Sequence, residues 1–152
     1  MKKLILYTLL LCASLSYPLL AQSTETGTLE IRFTDIRTEE GAMAVGINTS
    51  PEGWPKKAQI QLQLPKENMK DSVFIVRIPD LPFGTLAISV LDDVNDNVKM
   101  DMTLGIPKEG YGFSNDAPTR FLSAPKYESC TFEFTESMQQ ISIKLTYWGK
   151  DK

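Results

Sequence analysis

The chain has 152 residues, 16 Lys and Arg against 19 Asp and Glu, a net charge of −3, and no histidine. The missing histidine excludes His-dependent triads, His general bases and His-ligated zinc. A mildly acidic chain without a basic run offers no electrostatic footprint to nucleic acid or to an anionic membrane.

Lys2 and Lys3 precede an apolar run, Leu4 to Leu15, interrupted only by Thr8 and Ser14. Pro18 breaks it, and Leu19-Leu20-Ala21 places a small residue ahead of Gln22. This pattern predicts a cleaved secretory signal over residues 1–21 and a single domain over 22–152, exported to the periplasm or outside the cell. The run is shorter than the roughly 20 residues of a membrane span. The bulky Leu11 before Cys12 argues against a lipid anchor. Cleavage removes two of the 16 basic residues and none of the 19 acidic ones, so the net charge moves from −3 to −5. It also leaves Cys130 alone, with no partner for an intramolecular disulfide.

Leu29, Ile31 and Phe33 alternate with Glu30, Arg32 and Thr34, the signature of a half-buried strand over 28–34. Thr38 to Gly41 reads as a hairpin-type connection to a second strand holding Met43, Val45 and Ile47, and these two strands are expected to pair antiparallel. Asn48 to Lys57, with two Pro and a Gly, is a loop. Trp54 within it is either a cover for the core or a binding platform. Ile60, Leu62 and Leu64 alternate with glutamines in a third strand. Ser72 to Ile78 is a fourth, and its Val73–Val76 run suggests a central position. Thr85 to Leu91 is a fifth, with Leu86, Ile88 and Val90 on one face. Tyr127 to Phe134 is a sixth, and Ile141 to Tyr147 a seventh. In the sixth, Cys130 shares a face with Phe132 and Phe134 and reads as a small buried hydrophobe, not a reactive thiol. No window has a helical period. Seven short strands predict an all-β fold, a seven-stranded antiparallel β-sandwich of the immunoglobulin-like or transthyretin-like kind, with loops gathered at its two ends.

Between the fifth and sixth strands lies Asp92 to Asn115, the densest cluster of carboxylates and amides in the chain. Asp93, Asn95, Asn97, Lys99 and Asp101 stand at every second position, the spacing that opens an EF-hand-like calcium loop: side-chain oxygens at positions 1, 3 and 5, a backbone carbonyl at 7, and position 9 direct or through water. A hard cation wants six to eight oxygens, and a tightly turning chain can aim alternate side chains at one centre. Val98 stands at the sixth position, where Gly is usual, and Leu104 at the twelfth, where a Glu is usual, so a further ligand has to come from Glu109 or Asp116. The alternative is a solvated Asp/Asn-rich turn. Downstream, Tyr111, Phe113 and Asn115 either present a ligand or partner surface or pin the loop to the sheet.

These residues carry a resemblance. Leu81-Pro82-Phe83-Gly84-Thr85, the Asp93–Asp101 loop and the run Gly105-Ile106-Pro107-Lys108-Glu109-Gly110-Tyr111-Gly112-Phe113-Ser114-Asn115 together resemble the bacterial family called domain of unknown function 2141. The family pattern has Gly where this chain has Asp96 and Val98. The resemblance implies an exported β-sandwich and brings no established activity.

Three functions fit. The first is a non-enzymatic exported module whose central loop binds calcium and presents a surface to an unknown protein or small ligand. The second is a metal-independent structural adaptor of the cell envelope. The third is a hydrolase using paired carboxylates among Asp92, Asp93, Asp96 and Asp101.

Overall fold

The alternating segments form strands wherever one face finds a core to cover. The structure, a computed structural model, describes residues 25–118 and 123–148. The expected signal segment and its cut before Gln22 lie outside the described residues. Among those residues the strands are β1 (Thr26–Thr34), β2 (Ala42–Asn48), β3 (Ile60–Pro65), β4 (Phe74–Pro82), β5 (Gly84–Asp93), β6 (Met102–Thr103), β7 (Ile106–Pro107), β8 (Tyr111–Phe113), β9 (Thr131–Phe134) and β10 (Met138–Lys144). A single 3-10 turn covers Ser114–Asp116, and one helical turn, α1, covers Tyr127–Cys130. The fold is all-β, as the sequence predicts.

One sheet has the order β10-β1-β4; a second runs β3-β2-β5-β8, and β6 and β7 form a separate hairpin. One edge of β5 is divided: β9 pairs with Gly84–Ala87 and β8 with Ser89–Leu91. The inward residues of the two larger sheets make one cluster. It holds Leu29, Ile31 and Phe33 of β1 with Phe74, Ile78 and Ile143, and Met43, Val45 and Ile47 of β2 with Leu86, Ile88, Val90 and Phe134. Removing these faces from water is the main favourable term in folding, at about 25 cal/mol per Å² of apolar surface. The sheets are also stitched along one side. Tyr111 and Thr146 exchange backbone hydrogen bonds of 3.0 and 2.8 Å.

Several expectations need correction. Among the described residues there are ten strands, not seven, because three short ones lie inside the stretch expected to be a long loop. β1 does not pair with β2. It lies between β4, antiparallel, and β10, parallel. Residues 35–41 cross from one sheet to the other instead of reversing in a hairpin, with Ile36 buried in the crossing. The pair β1–β10 makes the fold mixed where a wholly antiparallel one was expected. β4 is an edge strand and not a central one. Its apolar run still alternates, with Phe74 and Ile78 buried and Ile75 half exposed, and it carries Pro79 and Pro82, which an edge tolerates. The first half of the predicted sixth strand is α1. There the Ser129 and Thr131 hydroxyls donate back to the carbonyls of Lys126 and Glu128, a local alternative to ladder bonding.

Candidate functional site

The inward row of β5 ends on a charge. Leu86, Ile88 and Val90 are buried, and the next inward position, Asp92, is 0% exposed. A carboxylate in that row demands a partner. Lys66, just past β3, supplies it: its Nζ lies 2.6 Å from Asp92 Oδ1, with no exposed surface on either side chain. Nζ also donates to the Thr38 carbonyl at 2.8 Å. The Tyr147 hydroxyl donates to Asp92 Oδ2 at 2.5 Å. Burial, with the Asp92 carboxylate beside it, holds the Tyr147 phenol far above its ordinary range, so it remains a donor. The Arg37 guanidinium lies 4.4 Å from the centre of the Tyr147 ring. Gly110 passes so close to this ring that a Cβ would fall on it, and its carbonyl accepts from the Asp92 amide at 2.8 Å.

Strand alternation turns Asp93 to the opposite face, so Asp92 and Asp93 do not face each other as a catalytic pair would. Asp93 is fully buried at the mouth of the loop. Its Oδ1 accepts from the Asn97 amide at 3.0 Å and its Oδ2 from the Val98 amide at 2.7 Å. Gln63 Nε2 reaches Asp93 Oδ2 at 3.4 Å and Asp96 Oδ1 at 3.3 Å. Asp101 closes the loop. Its Oδ2 accepts from Asn95 Nδ2 at 2.8 Å and its Oδ1 from Asn97 Nδ2 at 3.2 Å. Asn97 Oδ1 accepts from the Lys99 amide at 2.7 Å. The alternating residues are therefore drawn together.

Of the two candidates for a further ligand, Glu109 is at the loop and Asp116 is not. Glu109 is 5% exposed. It spans the loop by accepting from the Val94 amide at 3.3 Å and the Asp101 amide at 3.0 Å. Burial pushes its carboxyl above the usual range, the two amides oppose this, and the charges of Asp101 and Asp93 add to it. Asp116 instead accepts from the Lys144 amide at 3.0 Å. Among the described residues no group of three or more His, Cys, Asp or Glu is placed to hold a metal ion, so any cation site here has to draw on the Asn side chains and main-chain carbonyls.

The aromatic residues pack inward. Phe113 is 7% exposed, which corrects the expectation that it presents a surface. It joins Ala87, Ala117 and Cys130 in a second cluster against which Trp54, Tyr111 and Tyr127 pack. Trp54 is a cover, though for this second cluster and not for an end of the main core, and its Nε1 donates to the Pro125 carbonyl at 2.9 Å. Tyr111 is half-buried and its hydroxyl accepts from Trp148 Nε1. Asn115 is exposed, with Nδ2 donating to the Thr131 carbonyl at 2.6 Å.

A family model described as an uncharacterized protein conserved in bacteria, DUF2141, matches residues 31–142. The chain belongs to the DUF2141 family. The match runs from β1 into β10 and takes in Lys66, Asp92, the whole Asp93–Asp101 loop and Glu109. No curated protein and no solved structure matches the chain. Among the described residues, no helix is long and apolar enough to cross a membrane. In this DUF2141 chain Asp96 and Val98 have φ of 56° and 58°. The left-handed backbone that glycine would favour is therefore kept at both positions with side chains present.

Sequence reasoning overlooked Lys66 and Tyr147. Lys66 falls between the third and fourth predicted strands, and Tyr147 is the last residue of the seventh. The available signal was the parity of Asp92, in phase with Leu86, Ile88 and Val90 and so obliged to find a buried cation or donor.

Proposed function

We propose that this protein is an exported, non-enzymatic β-sandwich of the immunoglobulin-like or transthyretin-like kind whose Asp93–Asp101 loop binds calcium. The observation that carries this reading is the convergence on Asp101: Asn95 and Asn97 both hold it through their side-chain amides, while Glu109 bridges its backbone to that of Val94. The Asp93 and Asp101 carboxylates supply the charge, and the two Asn supply neutral oxygens once their amides rotate to exchange N–H for C=O towards the centre. Lys99 contributes its carbonyl. The two amide donors hold the Asp101 carboxylate at the centre of the loop. Asp93 is held buried by the fold itself, so part of the ordering cost is already met.

Titration calorimetry and thermal melting in calcium and in chelator test the proposal. The expected dissociation constant is on the order of 10⁻⁴ to 10⁻³ M, as in extracellular modules, with a melting shift that rises with calcium and is lost in the Asp101→Asn, Glu109→Gln double variant. No heat and no shift at millimolar calcium would refute the metal reading.

One observation favours the second reading, a metal-independent envelope adaptor. Both oxygens of Asp93, both of Asp101 and both of Glu109 already accept hydrogen bonds from this chain. Identical melting in calcium and chelator selects this alternative.

A further inference from the structure

We propose that the β6–β7 hairpin is a docking tip for a phospholipid surface, with Leu104 entering the apolar layer, Met102 and Ile106 on the strands behind it, and Val98 in the loop that precedes it. Leu104 is 98% exposed, Val98 56%, Met102 48% and Ile106 42%. Met102, Leu104 and Ile106 belong to the hairpin, and Val98 lies in the Asp93–Asp101 loop that leads into it.

Backbone conformation makes this exposure informative. Thr103 pairs with Ile106, so Leu104 and Gly105 are the two residues of the turn, and their φ values are 51° and 81°. A two-residue hairpin turn with both φ positive favours Asn-Gly or Asp-Gly. Leucine there is strained, and within the chain it buries almost nothing in return. Val98, β-branched and at φ 58°, repeats the anomaly, since such residues rarely adopt positive φ. Two strained apolar side chains on one exposed segment are accounted for by burial against something outside the chain.

The shape and charge of the tip favour lipid. Leu104, 98% exposed at the turn, stands clear of the rest of the chain, so a fluid bilayer closes around it without needing a matching pocket. Lys99 and Lys108 are exposed on either side of the hairpin, where long amphipathic side chains reach phosphate groups. The acids nearby are turned elsewhere: Asp101 towards Asn95 and Asn97, Glu109 towards the amides of Val94 and Asp101. The chain as a whole is acidic, so apolar insertion drives the docking and the lysines orient it. The docking stands whether or not the loop holds a cation.

Co-sedimentation with vesicles of phosphatidylcholine, alone and mixed with phosphatidylglycerol, tests this in calcium and in chelator. Leu104→Asn is the informative variant. It creates the favoured Asn-Gly turn, so the fold should melt no lower than the wild type, while vesicle partitioning should fall about tenfold or more through loss of one buried leucine. Residues 1–21, whatever their fate, are common to both chains. Partitioning onto either vesicle that Leu104→Asn reduces supports the proposal; dependence on phosphatidylglycerol adds the lysine contacts. Absence of wild-type binding to both vesicles, or equal binding by the variant, overturns it. If the wild type ignores vesicles but retains an envelope protein that the variant does not, the tip docks on protein and the lipid assignment is wrong.

Discussion

Lys66 and Asp92 meet at 2.6 Å with neither side chain exposed, which ties the end of β3 to the last inward position of β5 across the intervening β2. Breaking such a pair from one side leaves a buried charge with no counter-charge. Lys66→Met or Asp92→Leu alone should each cost about 3–5 kcal/mol, whereas the double variant should recover the charge-pair part of the loss and stay about 1.5–3 kcal/mol below the wild type, because the Tyr147 hydroxyl loses its acceptor. Urea unfolding of the four chains in a double-mutant cycle measures this. Additive losses would mean that the two residues act separately.

Tyr147 gives a pH dependence. Its folded-state phenol is raised above the ordinary value, first by burial and then by Asp92. The associated stability is present in full below about pH 10, the unfolded value, and is lost as the pH rises beyond it. Tyr147→Phe should cost about 1.5–3 kcal/mol at neutral pH, the range for a hydrogen bond to a charged group. Its melting temperature should then fall less steeply than that of the wild type between about pH 9 and 11. Parallel curves for the two chains would contradict the assignment.

Glu109 should behave in the opposite sense to a stabilising carboxylate. Its carboxyl is raised by burial and by the neighbouring Asp101 and Asp93, so the contribution of its proton is present below about pH 4.5 and lost as the pH climbs through the folded value. Glu109→Gln in chelator should therefore melt above the wild type at neutral pH and converge with it in acid. A lower melting temperature at neutral pH would show that its bonds to the Val94 and Asp101 amides outweigh the repulsion.

Val98→Gly should raise stability by about 0.5–1 kcal/mol. The left-handed backbone at φ 58° is costly for a β-branched side chain and free for glycine, and the extra unfolded-state entropy of glycine takes back only part of the gain. The denaturation midpoint should move up with an unchanged m-value. A downward shift would mean that the half-exposed valine makes contacts worth more than its strain.

Gly110→Ala should destabilise by about 1–3 kcal/mol, because its methyl group would fall on the Tyr147 ring and force the ring away from Asp92. Recovery of stability in Gly110→Ala with Tyr147→Leu, measured by thermal melting, would confirm that the clash is with the ring.

Alternation made the strands legible. The faces of β1, β2, β3 and β5 follow directly from the period of two, and the inward rows Leu29-Ile31-Phe33 and Leu86-Ile88-Val90 are those of the core. Pairing was not legible, since the same pattern serves a hairpin and a crossing. Residues 35–41 have the length of a turn and yet carry the chain between sheets, a choice made by Ile36 finding the core. At the candidate site the spacing marked Asp93 to Asp101 as one polar loop, but not that Asn95 and Asn97 turn their N–H groups onto the Asp101 carboxylate. Lys66 lies 26 residues from Asp92 and Tyr147 lies 55, and contacts of that range leave no local trace. The hairpin at 102–107 escaped notice because two-residue strands are too short to show a period.

The parallel pairing of β1 with β10, in register from Thr28 with Met138 to Thr34 with Lys144, has a mechanical consequence. The chain comes into β1 at one end of this ladder and goes out of β10 at the other. Tension applied between those two ends runs along both strands in opposing directions, so the backbone bonds joining them are sheared together and do not open one after another. Held by an anchor at one side and a load at the other, the molecule resists force as a rivet does, yielding only when the entire ladder gives.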